Sequence, residues 1–142
     1  MPLITDEVAP HVRNALSGLE TPVTLKFHPQ PGSPASEAME QLLDELTAFS
    51  DKLVVEKEAS LPAPMPPEEA EDLESSITEF WVDGKPTGIR YLGFPGGHEF
   101  GPFLEAMVAV SKHSAPKISE ATRQWIEALD KPLHLEVFVT PT

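Results

Sequence analysis

The stretch Gly88-Ile-Arg-Tyr-Leu-Gly-Phe-Pro-Gly-Gly-His-Glu-Phe-Gly-Pro-Phe103 changes its hydrophobic period midway. Bulky Ile89 and Tyr91 on either side of Arg90 indicate a half-buried strand. The triplet Pro95-Gly96-Gly97 interrupts that strand, because proline cannot donate to a sheet and glycine supplies the freedom of a sharp turn. Beyond it the apolar residues recur at helical spacing, at Phe100, Phe103, Leu104, Met107 and Val108. The stretch therefore predicts a strand, a turn and a helix, with regular helix from Pro102.

Immediately before this stretch, a second strand is indicated over residues 77–82. It is followed by Asp83-Gly84, which is the strongest short signal for a hairpin turn. Residues 77–82 and 87–92 are thus predicted to form a β-hairpin, and the helix follows it.

The rest of the chain supplies four further regular elements before the hairpin and two after it. Before it we predict a helix over 5–19, a strand over 23–27, a helix over 37–49 and a strand over 53–55. Residues 60–75 are rich in proline and then in acids, which favours a loop. After the hairpin we predict a helix over 118–129, with Ile118, Thr122, Trp125, Ile126 and Leu129 facing inward. The last element is a strand over 133–139, with Leu133, Leu135, Val137 and Val139 alternating.

The segment that runs from Asp83 to Phe100 resembles the end of the N-terminal half of bacterial and archaeal protein disulfide oxidoreductases, which are glutaredoxin-like. It is also similar to the N-terminal domain of the alkyl hydroperoxide reductase flavoprotein, and the resemblance covers nearly the whole chain. Those proteins fuse two thioredoxin folds in tandem. The resemblance implies an α/β thioredoxin-like domain over residues 1–131, with a central mixed β-sheet flanked by helices. Residues 132–142 would then be the first strand of a second, truncated unit.

The same resemblance locates the positions where an active thioredoxin fold carries its chemistry. The two cysteines of the C-x-x-C motif correspond to Ser33 and Ser36, and the substrate-binding cis-proline corresponds to Ser76. The chain contains no cysteine, and a thiolate is the nucleophile of thiol–disulfide exchange, so this chain is not itself a dithiol oxidoreductase. From the residues alone, Ser33 is better explained as a helix N-cap before Pro34 than as a nucleophile.

The bulk composition excludes several partners. A net charge of -13 argues against nucleic acid and against an anionic membrane surface. The first residues lack a signal-peptide pattern, and no apolar run reaches the length of a membrane span, so a cytoplasmic protein is expected. No metal or cofactor motif is present in the sequence. The glycine turn Pro95-Gly96-Gly97, with His98 and Glu99, is predicted to cap and brace the helix that follows it.

The resulting functional hypothesis is a redox-inactive thioredoxin-like half that supports a C-terminal C-x-x-C unit. By resemblance, the whole protein would exchange electrons with a reductase, a peroxidase or protein disulfides. One alternative is a free-standing peptide-binding adaptor or chaperone. A less favoured one is catalysis without thiols through Ser33, Ser36 and His98, with His28 also near the loop. The strand from Leu133 to Val139 can satisfy its edge by folding back beside a strand of its own sheet or by pairing with the same strand of a second copy. Of the two we favour the second, which predicts a homodimer.

Overall fold

The computed structural model describes residues 1–62 and 75–139. Its helices are α1 (Ala9–Leu16), α2 (Pro34–Thr47), α3 (Phe100–Ser111) and α4 (Glu120–Glu127). Its strands are β1 (Val23–His28), β2 (Leu53–Lys57), β3 (Ile77–Val82) and β4 (Lys85–Leu92). A short 3₁₀ helix, Gly97–Glu99, precedes α3.

The four strands form one mixed sheet in the order β2-β1-β3-β4. β1 and β2 are parallel, as expected for a strand–helix–strand unit, and β3 is antiparallel to both β1 and β4. The hairpin between β3 and β4 turns at Asp83 and Gly84, whose φ angles are both positive, 54° and 71°. Two positive φ angles characterise the tight hairpin turn that Asp-Gly favours, so this prediction is confirmed.

One face of the sheet carries the hydrophobic core. Alternate residues of β1 are fully buried, and α1, α2 and α3 contribute side chains to the same cluster. Phe103, Leu104 and Met107 of α3 are buried there, as the helical spacing predicted. The opposite face carries the intervening residues of β1 and β3, and these include Lys26, His28 and Glu79.

Several predicted helix boundaries were wrong by a few residues. α1 begins at Ala9 rather than Thr5, because the backbone first makes a separate turn in which Val8 N–H donates to the Thr5 carbonyl. α3 begins at Phe100 rather than Pro102. Proline fits there because the first-turn N–H groups of a helix have no intrahelical partner.

The inward-facing helix predicted over 118–129 is the main error of the sequence interpretation. α4 is present, but none of its residues is buried, and the side chain of Trp125 is 64% exposed. The periodicity therefore identified an apolar face that none of the described residues covers.

Residues 133–139 form no strand in the structure and their side chains are exposed. They therefore do not extend the sheet of this domain. Their assignment to a following unit, and the division of the chain at residue 132, stay predictions. The predicted proline-rich and acidic loop over 60–75 lies largely outside the described residues.

Candidate functional site

The sheet topology brings the end of β1 next to the beginning of β3. In the antiparallel register His28, the last residue of β1, is opposite Ile77, the first residue of β3. The loop that follows His28 ends at Ser33, Ser36 lies in the first turn of α2, and Ser76 comes immediately before Ile77. The three serines matched to the C-x-x-C motif and the cis-proline therefore lie toward the same end of the sheet.

Both serines of the loop use their hydroxyl groups to hold the backbone. Ser33 is the N-cap of α2, and its Oγ accepts from the backbone N–H of Ser36 at 3.3 Å. The Ser36 Oγ accepts from the backbone N–H of Gln30 at 2.9 Å, and Ser36 is only 3% exposed. The N-cap predicted for Ser33 is thus observed, and Pro34 occupies the first helical turn where proline is favoured.

Ser76 is buried at the position matched to the cis-proline. Its carbonyl accepts from the backbone N–H of Gly93 at 2.8 Å, which ties the start of β3 to the end of β4. Among the described residues its hydroxyl has no hydrogen-bond partner, and the same holds for the buried hydroxyl of Thr78. Ser76 therefore contributes backbone pairing to this end of the sheet.

The glycine turn joins β4 to α3 through backbone contacts. Gly97 has a φ of 57°, and Glu99 N–H donates to the Gly96 carbonyl at 3.1 Å. Glu99 occupies the N-cap position of α3, but its side chain makes no capping hydrogen bond. The backbone of the 3₁₀ turn therefore closes this end of the helix, and the bracing role expected of His98 and Glu99 stays a prediction.

Aromatic rings fill the space between this turn and the sheet. Tyr91 stacks on Phe80 with ring centroids 5.9 Å apart and meets Phe103 edge-on at 4.8 Å. Burial raises the pKa of the Tyr91 hydroxyl, and the nearby Glu99 charge raises it further. At neutral pH this tyrosine is a neutral packing residue.

The opposite face of the sheet contains a buried polar cluster that the sequence interpretation missed. His28 Nε2 lies 2.9 Å from Glu79 Oε1, and the other Glu79 oxygen lies 3.2 Å from Arg90 Nε. His28 Nδ1 lies 2.5 Å from the carbonyl oxygen of Ser60. His28 and Glu79 are 5% and 7% exposed. The available signal was the one charged residue of the strand Ile77–Val82, Glu79, which lies opposite Arg90 across the predicted hairpin.

The described residues do not assemble a catalytic constellation around the serines. Neither Ser33 nor Ser36 is hydrogen bonded to a histidine there, because His28 is engaged by Glu79 and Ser60 and His98 is exposed. In the same residues no group of three or more histidine or acidic side chains could hold a metal ion. Across residues 1–62 and 75–139, no helix has both the length and the apolar character needed to cross a bilayer.

No family model matches the chain. The alkyl hydroperoxide reductase protein AhpF of Staphylococcus epidermidis is 41% identical over 59 residues, which are 42% of this chain and 11% of that protein. An NADH dehydrogenase of Ferdinandcohnia aciditolerans is 32% identical over 107 residues, or 74% of this chain and 18% of that protein. The chain thus spans less than a fifth of the length of these relatives.

Two solved structures share the fold over most of the chain. AhpF of Enterococcus faecalis superposes with a TM-score of 0.68 at 22% identity, covering 89% of this chain and 61% of that one. A protein disulfide oxidoreductase from Aeropyrum pernix superposes with a TM-score of 0.74 at 16% identity, covering 99% of this chain and 62% of that one.

The strand order and these superpositions define a thioredoxin-like α/β domain. Within that class, this chain is similar to the thioredoxin-like N-terminal half found in AhpF and in protein disulfide oxidoreductases.

Proposed function

We propose that this chain is a redox-inactive thioredoxin-like half that supports a second, thiol-bearing unit in thiol–disulfide exchange. The observation that carries the proposal is the bonding of the two serine hydroxyls. Ser33 caps α2 and Ser36 fastens the loop through Gln30, so both positions matched to the C-x-x-C motif have structural roles. A serine hydroxyl is also far too weakly acidic to replace a thiolate.

The exposed apolar surface supports the second part of the proposal, which concerns docking. Apolar side chains of α4 and of the residues on both sides of it are exposed to solvent. They are Ile118, Trp125, Ile126, Leu129, Leu133, Leu135, Val137, Phe138 and Val139. Exposed apolar surface of this kind is typical of a site that another protein surface covers. The occupant we propose is a thioredoxin-like unit following this chain, because the solved relatives are longer than the part that this chain matches.

In this proposal the catalytic unit receives or delivers electrons through a reductase or a peroxidase, and the present chain contributes position and contact surface. The protein is expected to act in the cytoplasm. The same apolar face also suits a free-standing adaptor that binds apolar peptides, which is the second candidate.

A disulfide-reduction assay tests directly whether this chain is redox-inactive. The purified chain should not accelerate insulin reduction by dithiothreitol above the uncatalysed rate, because no thiolate is available. Clear turnover would contradict the proposal.

The docking surface is tested in a chain extended along its natural reading frame past Thr142. That frame is expected to contain a C-x-x-C motif, whereas an immediate stop codon would favour the free-standing adaptor. In the extended protein, Trp125→Glu should weaken the packing of the second unit against α4. The melting temperature of the second unit should therefore fall. Gln124→Glu adds the same charge to α4 away from its apolar face, and it should leave the melting temperature of the second unit unchanged.

A further inference from the structure

His28 lies in a buried site where both of its ring nitrogens face hydrogen-bond acceptors. Nδ1 lies 2.5 Å from the Ser60 carbonyl oxygen, which can only accept a hydrogen bond. Nε2 lies 2.9 Å from a carboxylate oxygen of Glu79. A neutral imidazole carries one N–H and can satisfy only one of these two acceptors. The His28–Glu79 pair therefore holds one proton more than a neutral ring beside an ionised carboxylate.

Arg90 determines which member of the pair carries that proton. Its Nε lies 3.2 Å from the second Glu79 oxygen, and this cation favours the ionised form of the carboxylate. With Glu79 ionised, the extra proton is on the imidazole. We infer that His28 is an imidazolium clamp, whose second ring proton fastens the chain at Ser60 to the face of the sheet opposite the core.

Loss of that proton releases one specific contact. A hydrogen bond to a carboxylate is stronger than one to a neutral carbonyl. The single proton of a neutral ring therefore remains on Nε2 beside Glu79, and the Nδ1 lone pair then faces the Ser60 oxygen without a proton between them. The segment after β2 is held to the sheet when His28 is charged and is released there when it is neutral.

The other charges on this face are already paired. Lys26, two residues before His28 on β1, has its Nζ 3.8 Å from carboxylate oxygens of both Glu56 and Glu58. The charged groups that face His28 within the described residues are thus Glu79 directly and Arg90 through it. The clamp therefore depends on one carboxylate, which allows a near-isosteric test.

Nitrogen NMR of the native chain tests the charge of His28. About one pH unit above the ordinary histidine value of ~6.5, a solvated ring is only about one-tenth doubly protonated. At that pH we expect His28 to show two protonated ring nitrogens. A His28 ring with only one protonated nitrogen at that pH would overturn the inference.

Glu79→Gln separates the clamp from general packing. The glutamine amide can donate to Nε2, so a neutral His28 with its proton on Nδ1 satisfies both neighbours. In the native chain the Leu61 amide resonance, which reports on the Ser60 peptide group, should shift with the His28 titration. In Glu79→Gln that shift should vanish, and His28 should carry one ring proton throughout the same pH range. A Leu61 shift of equal size in both proteins, or its absence from the native chain, would refute the clamp.

Discussion

Ser33 and Ser36 have the separation of a thioredoxin dithiol without its chemistry. Ser33 Oγ is within 3.3 Å of the backbone nitrogen of Ser36, so the two residues adjoin at the start of α2. A disulfide requires Cβ atoms about 3.5–4.5 Å apart, which residues at such a helix start can provide. The match of Ser33 and Ser36 to the C-x-x-C motif therefore predicts that cysteines at these two positions can be bridged.

The double variant Ser33→Cys with Ser36→Cys is accordingly expected to form an intramolecular disulfide under mild oxidant. Thiol titration and mass spectrometry of the intact chain measure it. A chain with Ser33→Cys and Ser114→Cys is the control, because Ser114 follows α3 at the opposite end of β1 and should stay reduced. If the double variant at positions 33 and 36 also keeps two free thiols, the match to the C-x-x-C motif is incorrect.

Glu45 holds the N-terminal segment onto α2. Its two carboxylate oxygens accept from the backbone N–H groups of Leu3 and Ile4 at 2.9 and 2.8 Å. Burial alone would raise the pKa of this carboxyl, but the hydrogen bonds from Ile4, Leu3 and Gln41 outweigh it, so the pKa lies below its ordinary 4.5. A depressed pKa means that Glu45 stabilises the fold above pH 4.5 and loses this effect as the pH falls through its folded value.

Glu45→Gln is therefore expected to lower the free energy of unfolding at pH 7 by about 1 kcal/mol, since the site is partly solvated. Urea denaturation at several pH values measures the difference between the two proteins. The difference should shrink below pH 4.5 as the native carboxyl becomes protonated. Glu105→Gln, at an exposed position of α3, is the matched control. A difference independent of pH would show that the charge of Glu45 is not involved.

At the scale of elements, the end of α3 is fastened to the connection between α1 and β1. Ser111 is buried, its Oγ accepts from the backbone N–H groups of Glu20 and Thr21, and its hydroxyl donates to the Thr21 carbonyl. A single hydroxyl therefore satisfies backbone groups 90 and 91 residues away in sequence. This contact sets how the last core helix lies across the sheet.

Ser111→Ala removes the partner of the part-buried Glu20 N–H and Thr21 carbonyl, whereas the Thr21 N–H still reaches the Ser111 backbone carbonyl. The loss of such a hydrogen bond costs about 1 kcal/mol. The free energy of unfolding should fall by that amount, as measured by chemical denaturation. Ser114→Ala removes an exposed hydroxyl three residues later and should change stability little. Equal effects for the two variants would contradict the assigned role of Ser111.

At the scale of the whole molecule, the net charge of -13 opposes compaction. Added salt screens repulsion between exposed charges, so moderate sodium chloride is expected to raise the melting temperature modestly. Thermal denaturation monitored by circular dichroism at increasing salt measures this. A steady fall would show that the ion pairs, such as Lys57 with Glu40 and Asp44, dominate over the repulsion.

The exposed apolar segment after α4 leads to a prediction about association. Residues 133–139 do not pair with the sheet of their own domain, so of the two predicted outlets for this stretch the pairing with a second copy is left. Light scattering is expected to show a dimer for the chain of residues 1–142 and a monomer for a chain that ends at Lys131. Two monomers of equal stability would remove the pairing hypothesis.

The local order of elements follows from the sequence because each signal is local. Asp83-Gly84 specifies the hairpin, Pro95-Gly96-Gly97 ends the strand, and the apolar spacing of α2 and α3 identifies their buried faces. The absence of cysteine excluded dithiol chemistry without any coordinates. Matching Ser33, Ser36 and Ser76 to the site relied on the family resemblance, with Ser33 also recognisable as an N-cap.

The tertiary structure alone decided which groups meet across the sheet and which surfaces stay uncovered. Ser60 and Glu79 are 32 and 51 residues from His28, and the pairing of β1 with β2 and with β3 brings them together, whereas the hairpin already places Arg90 opposite Glu79. For α4, hydrophobic periodicity predicted an apolar face but carried no information about its partner. Burial depends on packing between distant segments, and no described segment covers α4.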